Sequence, residues 1–200
     1  MAKPGAELIV TQTAENLAAA AQAASAKGAP PVHLWNPPFC GDLDMEIRRD
    51  GTWFYEGTPI GRPGLVRLFA SILKVEGGKY FLVTPEEKVG IRVEDAPFVA
   101  VDFTTDASDG EQVLTFETNV GDFVRAGAEN PIRVVRDPQT GEPSPYVAVR
   151  RGLEALVDRK SFYRLVDLGM HAEYEEDQWF GVWSGGVFFP IIPSEDLPED

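Results

Sequence analysis

The fold is decided by residues 42–55, which read DLDMEIRRDGTWFY. Apolar and charged residues alternate from 43 to 48, and this period of two predicts a strand with one buried face. Asp50 and Gly51 are typical of a two-residue turn with positive φ angles, and the aromatic residues at 53–55 predict the returning strand. The stretch therefore predicts a β-hairpin.

A short amphipathic helix is predicted after this hairpin. Arg62 and Pro63 open it, because proline fits the first turn of a helix. The next apolar residues have the i, i+3, i+4, i+7, i+8 spacing of one buried helix face: Leu65, Leu68, Phe69, Ile72 and Leu73. Gly77 and Gly78 are expected to end the helix. Strands are then predicted at residues 80–83, 89–93 and 98–103.

The second half of the chain shows the same order of elements. Strands are predicted at residues 113–118, 123–125, 132–136 and 146–150. A helix is predicted to begin near Ser161, a favourable N-cap residue, because the apolar residues from 162 onward have helical spacing. A hairpin is predicted to follow, with residues 184–186 as its turn.

The two halves align with each other at an offset of 97 residues. At this offset Arg62 meets Arg159 and Arg67 meets Arg164, together with several apolar pairs. The sequence therefore predicts an α+β protein of two related halves, each built as hairpin, helix and hairpin. The predicted segments are an N-terminal helical arm at 1–30, a first repeat at 31–97 and a second repeat at 98–193.

The arm and the segment after it have their own signals. Thr13 is expected to cap a helix over residues 14–26, which are rich in alanine. Residues 30–41, PPVHLWNPPFCG, contain four prolines, which exclude a helix and predict an extended strap. We expect this strap to lie across the core with three apolar anchors: Leu34, Trp35 and Phe39.

Charge and composition exclude several classes of protein. The chain has 18 basic and 32 acidic residues, a net charge of −14. Nucleic-acid polymers and anionic membranes bind basic surfaces, so neither is an expected partner. No apolar run approaches the roughly 18 residues that span a bilayer. The single cysteine, Cys40, fits a reducing compartment, and we expect a cytoplasmic protein without a metal or cofactor.

Basic residues near the duplicated helices are the candidates for ligand binding. Guanidinium groups suit bidentate recognition of phosphate or carboxylate, and an acidic protein needs them locally to hold an anion. Lys88 ends a charged turn, while Trp183 and Ser184 offer a stacking face and a hydroxyl at the hairpin turn. The candidate ligand-binding residues are Arg62, Arg67, Lys88, Arg150, Arg151, Arg164, Trp183 and Ser184. The alternative is that these arginines form salt bridges with the abundant carboxylates.

Hydrolytic chemistry has weaker support in the sequence. Ser184 lacks the G-x-S-x-G pattern of a nucleophile elbow. Cys40 follows His33 by seven residues, and a cysteine nucleophile needs a histidine that is close in space. No catalytic residue is assigned, and a hydrolase using Cys40 or Ser184 is the third hypothesis.

Four long stretches resemble the bacterial family called domain of unknown function 1285. They are VHLWNPPFCGDLDMEIRRDGTWFYEGTPIGRPGLVRLFASIL (32–73), YFLVTPEEKVGIRVEDAPFVAV (80–101), YVAVRRGLEALVDRKSFYRLV (146–166) and GVWSGGVFFPI (181–191). The resemblance implies a duplicated α+β fold with a pleckstrin-homology-like C-terminal half. It also implies a signalling role and a site at the interface of the halves for a nucleotide-like molecule. No catalytic residues are established for the family.

Two functional hypotheses follow. The first is a non-enzymatic sensor or adaptor that binds a small anionic ligand, of which a nucleotide-like molecule is one type, in a cleft between the repeats. The second is a protein-interaction module without a small ligand, in which the strap, the N-terminal arm or strand addition to the pleckstrin-like half contacts a protein partner.

Overall fold

A computed structural model describes residues 13–26, 28–107 and 110–197. Residues 1–12 of the predicted arm lie outside this part of the chain. The described helices are α1 (Ala14–Ser25), α2 (Pro63–Ser71) and α3 (Arg159–Asp167), with short 3-10 turns at Val32–Leu34 and Ser194–Asp196. The described strands of the first half are β1 (Phe39–Ile47), β2 (Trp53–Tyr55), β3 (Thr58–Pro59), β4 (Leu73–Glu76), β5 (Lys79–Val83) and β6 (Lys88–Val93). Those of the second half are β7 (Phe98–Asp106), β8 (Val113–Thr118), β9 (Phe123–Arg125), β10 (Ile132–Arg136), β11 (Pro143–Arg150), β12 (Leu153–Val157), β13 (Met170–Tyr174), β14 (Asp177–Ser184) and β15 (Val187–Pro193).

The strands form three sheets. Their orders are β3-β2-β1-β6-β5-β4, β10-β11-β12-β7-β8-β9 and β13-β14-β15. In each half a nine-residue helix is followed by three antiparallel strands, namely β4 to β6 after α2 and β13 to β15 after α3. The predicted α+β fold with two similar halves is confirmed. The sheets and single helix of the second half agree with a pleckstrin-homology-like arrangement.

The chain divides into two compact units. The first contains the described residues up to Met45 together with Tyr55–Ile91. In this unit α1 packs against α2, and the fully buried side chains include Leu17, Phe69 and Leu82. Thr13 caps α1 by accepting a hydrogen bond from the Asn16 amide at 3.3 Å, which confirms the predicted start of this helix.

The second unit contains Glu46–Phe54 and the described residues from Arg92 onward. Its core is built from alternate residues of the strands and from the inner face of α3. The fully buried side chains of this unit include Trp53, Phe98, Phe116, Leu153 and Leu165.

The first helix of the duplicated pattern ends earlier than the sequence predicts. It stops at Ser71, and Leu73–Glu76 form strand β4. Gly77 and Gly78, with φ of 55° and 77°, make the turn between β4 and β5 and do not end a helix. Ile72 and Leu73 are buried in the strand arrangement, so they match a helical spacing without being helical.

The start of α3 also differs from the prediction. Asp158 is the N-cap, and its Oδ1 accepts a hydrogen bond from the Ser161 amide at 2.7 Å. Ser161 therefore lies inside the first turn, so its prediction as the cap is wrong. Residues 153–157 are out of phase with the helix because they form β12, which pairs in parallel with β7.

Two further details of the first half are corrected. In the strap, Leu34 is 73% and Phe39 55% exposed, while Val32 and Pro37 are buried in their place, so the predicted anchors are wrong at those two positions. In the first hairpin only Gly51 has positive φ, at 84°. Its amide bonds to the Arg48 carbonyl, so the turn begins one residue earlier than a two-residue turn would.

Candidate ligand-binding site

A pocket of about 570 Å³ opens on the second unit. Its apolar floor is formed by Val99, Val101, Leu156, Val157 and Phe162, with Pro143 and Pro145 beside them. Its polar rim is formed by Arg49, Asp50, Glu142, Ser144, Asp158 and Arg159. Every one of these residues belongs to the second unit. The pocket therefore combines an apolar surface with charged groups at its mouth.

Arg49 is held in place from both its backbone and its side chain. It lies in the turn between β1 and β2, where its amide donates to Glu94 Oε2 at 2.8 Å. Its Nη1 lies 2.9 Å from Asp95 Oδ2, and its Nη2 donates to Ser144 Oγ at 3.3 Å. The side chain is still 55% exposed, so the guanidinium is positioned and accessible at once.

The carboxylate that holds Arg49 is itself anchored. The Tyr146 hydroxyl donates to Asp95 Oδ1 at 2.8 Å. Burial raises the pKa of Tyr146, and the hydrogen bond to Asp95 raises it further. The Arg133 guanidinium lies 4.4 Å from the centre of the Tyr146 ring and donates to both oxygens of Glu154 at 2.6 Å. These contacts fix the rim on the Arg49 side.

Arg159 provides the second guanidinium of the rim. It is the first residue of α3 and is exposed. Its Nε donates to the Tyr163 hydroxyl at 3.0 Å, and this hydrogen bond raises the pKa of the guanidinium. Its two Nη groups have no hydrogen-bond partner among the described residues. They are therefore available to an anion in the pocket.

Two of the three rim carboxylates accept hydrogen bonds from backbone amides. Asp50 Oδ1 accepts from the Thr52 amide at 2.9 Å, and this bond lowers the pKa of Asp50. Asp158 accepts from the Ser161 amide as the helix cap. Glu142 is exposed and contributes to the raised pKa of Arg159 through its charge. These hydrogen bonds position the carboxylates but do not remove their negative charge, so the rim carries three acidic side chains beside its two arginines.

The predicted site residues of the first unit lie in two places. Arg62 is the exposed N-cap of α2, and Arg67 is exposed on the same helix. Lys88 begins β6, where its Nζ lies 2.7 Å from Glu76 Oε2, and Lys74 lies 2.8 Å from the other oxygen of that carboxylate. The Lys88 charge is therefore partly neutralised within the sheet.

The predicted arginines of the second unit are in three different environments. Arg150 pairs with Asp122, and its guanidinium lies 4.9 Å from the centre of the Phe98 ring. Arg164 pairs with Asp102, donates to the Phe103 carbonyl at 2.8 Å and lies over the Phe103 ring. Arg151 lies in the turn between β11 and β12 with a positive φ of 47° and is exposed. The alternative interpretation, in which these arginines form salt bridges with carboxylates, therefore holds for Arg150 and Arg164.

The two predicted residues of the last hairpin differ in accessibility. The Trp183 side chain is 38% exposed and packs against Phe188, with 5.3 Å between the ring centres. Ser184 is fully buried: its Oγ donates to the Ala126 carbonyl at 2.7 Å and accepts from the Leu114 amide at 2.9 Å. The expectation of an exposed hydroxyl at Ser184 is therefore wrong, because the hydroxyl joins the end of β14 to neighbouring strands.

Other expectations concern membranes, metals and hydrolysis. Residues 13–26, 28–107 and 110–197 contain no helix long and apolar enough to cross a membrane. The same residues contain no group of three histidine, cysteine or acidic side chains placed to hold a metal ion. The Cys40 thiol is exposed and donates to the Pro38 carbonyl at 3.4 Å.

Two models of protein families match this chain. The model described as "Domain of unknown function (DUF1285), N-terminal domain" matches residues 30–96, and "Protein of unknown function (DUF1285), C-terminal domain" matches residues 97–191. The chain belongs to the DUF1285 family. A search of curated proteins finds no match to this DUF1285 member.

Two solved structures are similar to this DUF1285 chain. A DUF1285 family protein from Silicibacter pomeroyi DSS-3 is 64% identical, with a TM-score of 0.81 over 90% of this chain and 96% of that one. A DUF1285 family protein from Shewanella baltica OS155 is 31% identical, with a TM-score of 0.49 over 62% of this chain and 91% of that one. The pocket of this DUF1285 chain draws Arg49 and Asp50 from the segment that the N-terminal model matches and its other lining residues from the C-terminal segment.

Sequence reasoning did not select the two rim arginines as ligand-binding residues. Arg49 lies in a predicted turn, and turn arginines are usually solvated. The internal repeat aligns Arg159 with Arg62, and this alignment is a signal that could have selected Arg159 as a candidate. Nothing local indicated that these two residues, more than a hundred positions apart, would border the same pocket.

Proposed function

We propose that this protein binds a small anionic ligand in the pocket bordered by Arg49 and Arg159. In this proposal it acts in the cytoplasm as a sensor or adaptor and does not transform the ligand. The observation that carries the proposal is the combination of an apolar floor and two guanidinium groups in one pocket of about 570 Å³. Small-molecule sites typically have volumes of about 300–1,000 Å³, with mostly apolar walls and a few polar groups that orient the ligand.

The chemistry of the lining suggests how such a ligand is held. An apolar or planar body would lie against Val99, Leu156 and Phe162, while a phosphate or carboxylate would meet Arg49 and Arg159 at the rim. Guanidinium groups bind both anions through paired hydrogen bonds. A nucleotide-like molecule has both parts, a planar base and an anionic group.

Local positive charge is needed because the whole chain is strongly acidic. With a net charge of −14, the protein repels anions at long range. Asp50, Glu142 and Asp158 add negative charge at the rim as well, so an anion is attracted there only where it contacts the guanidinium groups directly. We therefore expect binding to depend on both rim arginines.

A sensing role is supported by the fact that the two rim arginines come from different segments of the chain. Arg49 comes from the hairpin turn in the segment 30–96 and Arg159 from α3 in the segment 97–191, and both lie in the second unit. A ligand that contacts both would stabilise the hairpin turn and the helix start together. Binding without hydrolysis is favoured because Ser184, one candidate nucleophile, is buried and hydrogen-bonded at its Oγ.

A thermal-shift screen of the full chain at fixed salt tests this proposal. The panel contains mononucleotides, dinucleotides and small dicarboxylates, which separates phosphate from carboxylate recognition. A ligand at about 100 times its Kd raises the free energy of unfolding by about 2.7 kcal/mol. We expect at least one class to raise Tm.

Two arginine variants show whether a thermal shift depends on the proposed pocket. Arg159→Ala should weaken binding about tenfold or more, since a hydrogen bond to a charged group contributes about 1.5–3 kcal/mol. Arg125→Ala is the matched control, because Arg125 is exposed on β9 and carries the same charge. No shift with any compound, or an equal loss in both variants, would contradict the proposal.

A protein-interaction module is the second candidate function. It is favoured by the exposure of Leu34 and Phe39, which lie five residues apart in the strap of the first unit. Replacing both by Ser should remove partner binding and leave any ligand-induced shift unchanged. Deleting residues 1–12, which leaves α1 and its buried Leu17 in place, tests the contribution of the start of the arm in the same assay.

A further inference from the structure

The charged side chains at the mouth of the pocket differ in whether the fold already gives them a partner. Arg49 lies 2.9 Å from Asp95, a carboxylate outside the pocket lining, so its positive charge is partly offset. Asp50 accepts a hydrogen bond from a backbone amide of its own turn. Asp158 caps α3, where the positive end of the helix dipole lies beside its carboxylate. Each of these three rim groups therefore has a partner within the fold.

The two remaining charged groups of the rim, Glu142 and Arg159, have opposite signs. The Glu142 side chain is exposed and has no ion pair or hydrogen bond among the described residues. Arg159 donates from its Nε to the Tyr163 hydroxyl, and its two Nη groups are unpaired in the same part of the chain. Tyr163 and, to a smaller extent, Glu142 raise the pKa of Arg159, so the two charges lie near each other without forming a direct ion pair. The mouth of the pocket thus presents one unpaired positive and one unpaired negative group.

A positive group on the ligand would reduce the electrostatic repulsion at this pocket. The rim carries two arginines and three carboxylates, and the chain as a whole has a net charge of −14. A purely anionic ligand is repelled by both. A zwitterion has no net charge, so it avoids the long-range repulsion, and each of its charged ends can contact a group of opposite sign.

The floor of the pocket provides apolar surface for the rest of the ligand. Val101, Leu156 and Phe162 line it and are half-buried, so each still exposes part of its side chain. Phe162 follows Arg159 by three residues in α3, and residues at this spacing are neighbours on the surface of a helix. Apolar surface therefore lies next to the unpaired guanidinium group. Burial of apolar surface contributes about 25 cal/mol per Å² to binding.

We propose that the ligand of this pocket is an α-amino acid with an apolar side chain. Its carboxylate contacts the Nη groups of Arg159, and its ammonium group contacts the Glu142 carboxylate. Its side chain lies against Leu156 and Phe162. The assignment rests on the proposed function, because the same arginine holds the anionic group of the ligand. It adds a cationic group and so names the chemical class.

Three compounds with the same phenyl group test the two charged contacts separately. L-Phenylalanine carries both charged groups, hydrocinnamate lacks the ammonium group, and phenethylamine lacks the carboxylate. Isothermal titration calorimetry of the full chain near neutral pH measures the Kd of each compound. We expect hydrocinnamate and phenethylamine each to bind about tenfold or more weakly than L-phenylalanine, and a factor of ten corresponds to about 1.4 kcal/mol.

Variants of the two unpaired groups assign the contacts to residues. Glu142→Gln should weaken the binding of L-phenylalanine about tenfold and should not weaken that of hydrocinnamate, because only L-phenylalanine has an ammonium group for Glu142. Glu129→Gln is the matched control, since Glu129 is exposed and lies outside the pocket lining, and it should change neither affinity. Arg159→Ala should weaken the binding of both compounds. Circular dichroism confirms that each variant is folded.

The outcomes separate this assignment from the proposed function. Equal affinities for L-phenylalanine and hydrocinnamate, both reduced by Arg159→Ala, would overturn the amino-acid assignment and leave the anion site in place. An equal loss of L-phenylalanine binding in Glu142→Gln and Glu129→Gln would overturn the assignment as well. Absence of L-phenylalanine binding at about 1 mM would also overturn it, and the thermal-shift screen would then test the proposed function alone. Binding of L-phenylalanine that Arg159→Ala does not weaken would contradict both.

Discussion

Ser184 shows, at the scale of a single residue, how a polar group can serve the fold in a position that resembles a binding site. The sequence places a serine beside two glycines in a hairpin turn, a pattern typical of exposed residues. The structure buries this hydroxyl between the Ala126 carbonyl and the Leu114 amide. Its burial depends on β8 and on the chain after β9, more than fifty positions away, so no local pattern could predict it.

Replacing Ser184 with Ala should therefore destabilise the protein. The change leaves a buried amide and a buried carbonyl without a partner, and each unsatisfied group costs about 1–3 kcal/mol. Urea unfolding should show a lower free energy of unfolding for Ser184→Ala. Ser144→Ala is the control, because the half-buried Ser144 hydroxyl accepts one hydrogen bond of 3.3 Å from an exposed arginine. Equal stability of the two variants would show that Ser184 has no structural role.

The start of α3 shows, at the scale of an element, where sequence patterns are strong and where they are weak. The helix itself was predicted, because its apolar residues recur at helical spacing. Its first residue was not, since Asp158 and Ser161 are both favourable caps and the choice depends on where β12 ends. The predicted α2 is too long for a similar reason, because the buried residue at the start of β4 continues the helical spacing of apolar residues.

Substitution of the two candidate caps distinguishes them. Asp158→Ala should lower the free energy of unfolding by about 0.5–2 kcal/mol, the usual cost of losing an N-cap. Ser161→Ala should change it little, because the Ser161 hydroxyl is buried with no hydrogen-bond partner in the described part of the chain. Thermal unfolding of both variants provides the comparison. A larger effect of Ser161→Ala would restore Ser161 as the cap.

The strands after α2 contain a cluster of charged side chains whose contribution to the stability of the protein depends on pH. Hydrogen bonds from Lys74 and then Lys88 hold the pKa of Glu76 below its ordinary value of about 4.5. A carboxylate with a lowered folded-state pKa stabilises the protein above that ordinary value and loses the effect as pH falls through the folded pKa. Glu76→Gln should therefore destabilise the protein at pH 7 and have little effect below the folded pKa.

Chemical unfolding at pH 7 and in acid measures this dependence. Glu86→Gln is the control, since the Glu86 side chain is exposed in the turn before β6 and has no ion pair among the described residues. It should change stability little at either pH. A loss in Glu76→Gln that is the same at both pH values would contradict the role of the ion pairs.

At the scale of the whole molecule, the sequence predicted the general architecture better than the position of the candidate site. The α+β class and the two similar halves follow from period-two and helical patterns, with matching arginines as the strongest sign of duplication. The candidate pocket depends on residues from a hairpin turn and a distant helix start, and their proximity is a tertiary fact. Two of the five predicted arginines are also governed by tertiary contacts, namely Arg150, which pairs with Asp122, and Arg164, which pairs with Asp102.

Hydrogen–deuterium exchange of the full chain, with and without the compound that gives the largest thermal shift, tests the proposed pocket most directly. We expect slower exchange in two segments, the turn at residues 48–52 and the start of α3 at residues 158–163, and no added protection in β9. Protection of α2 instead would place the ligand at Arg62 and Arg67 and contradict the assignment to the pocket at Arg49 and Arg159.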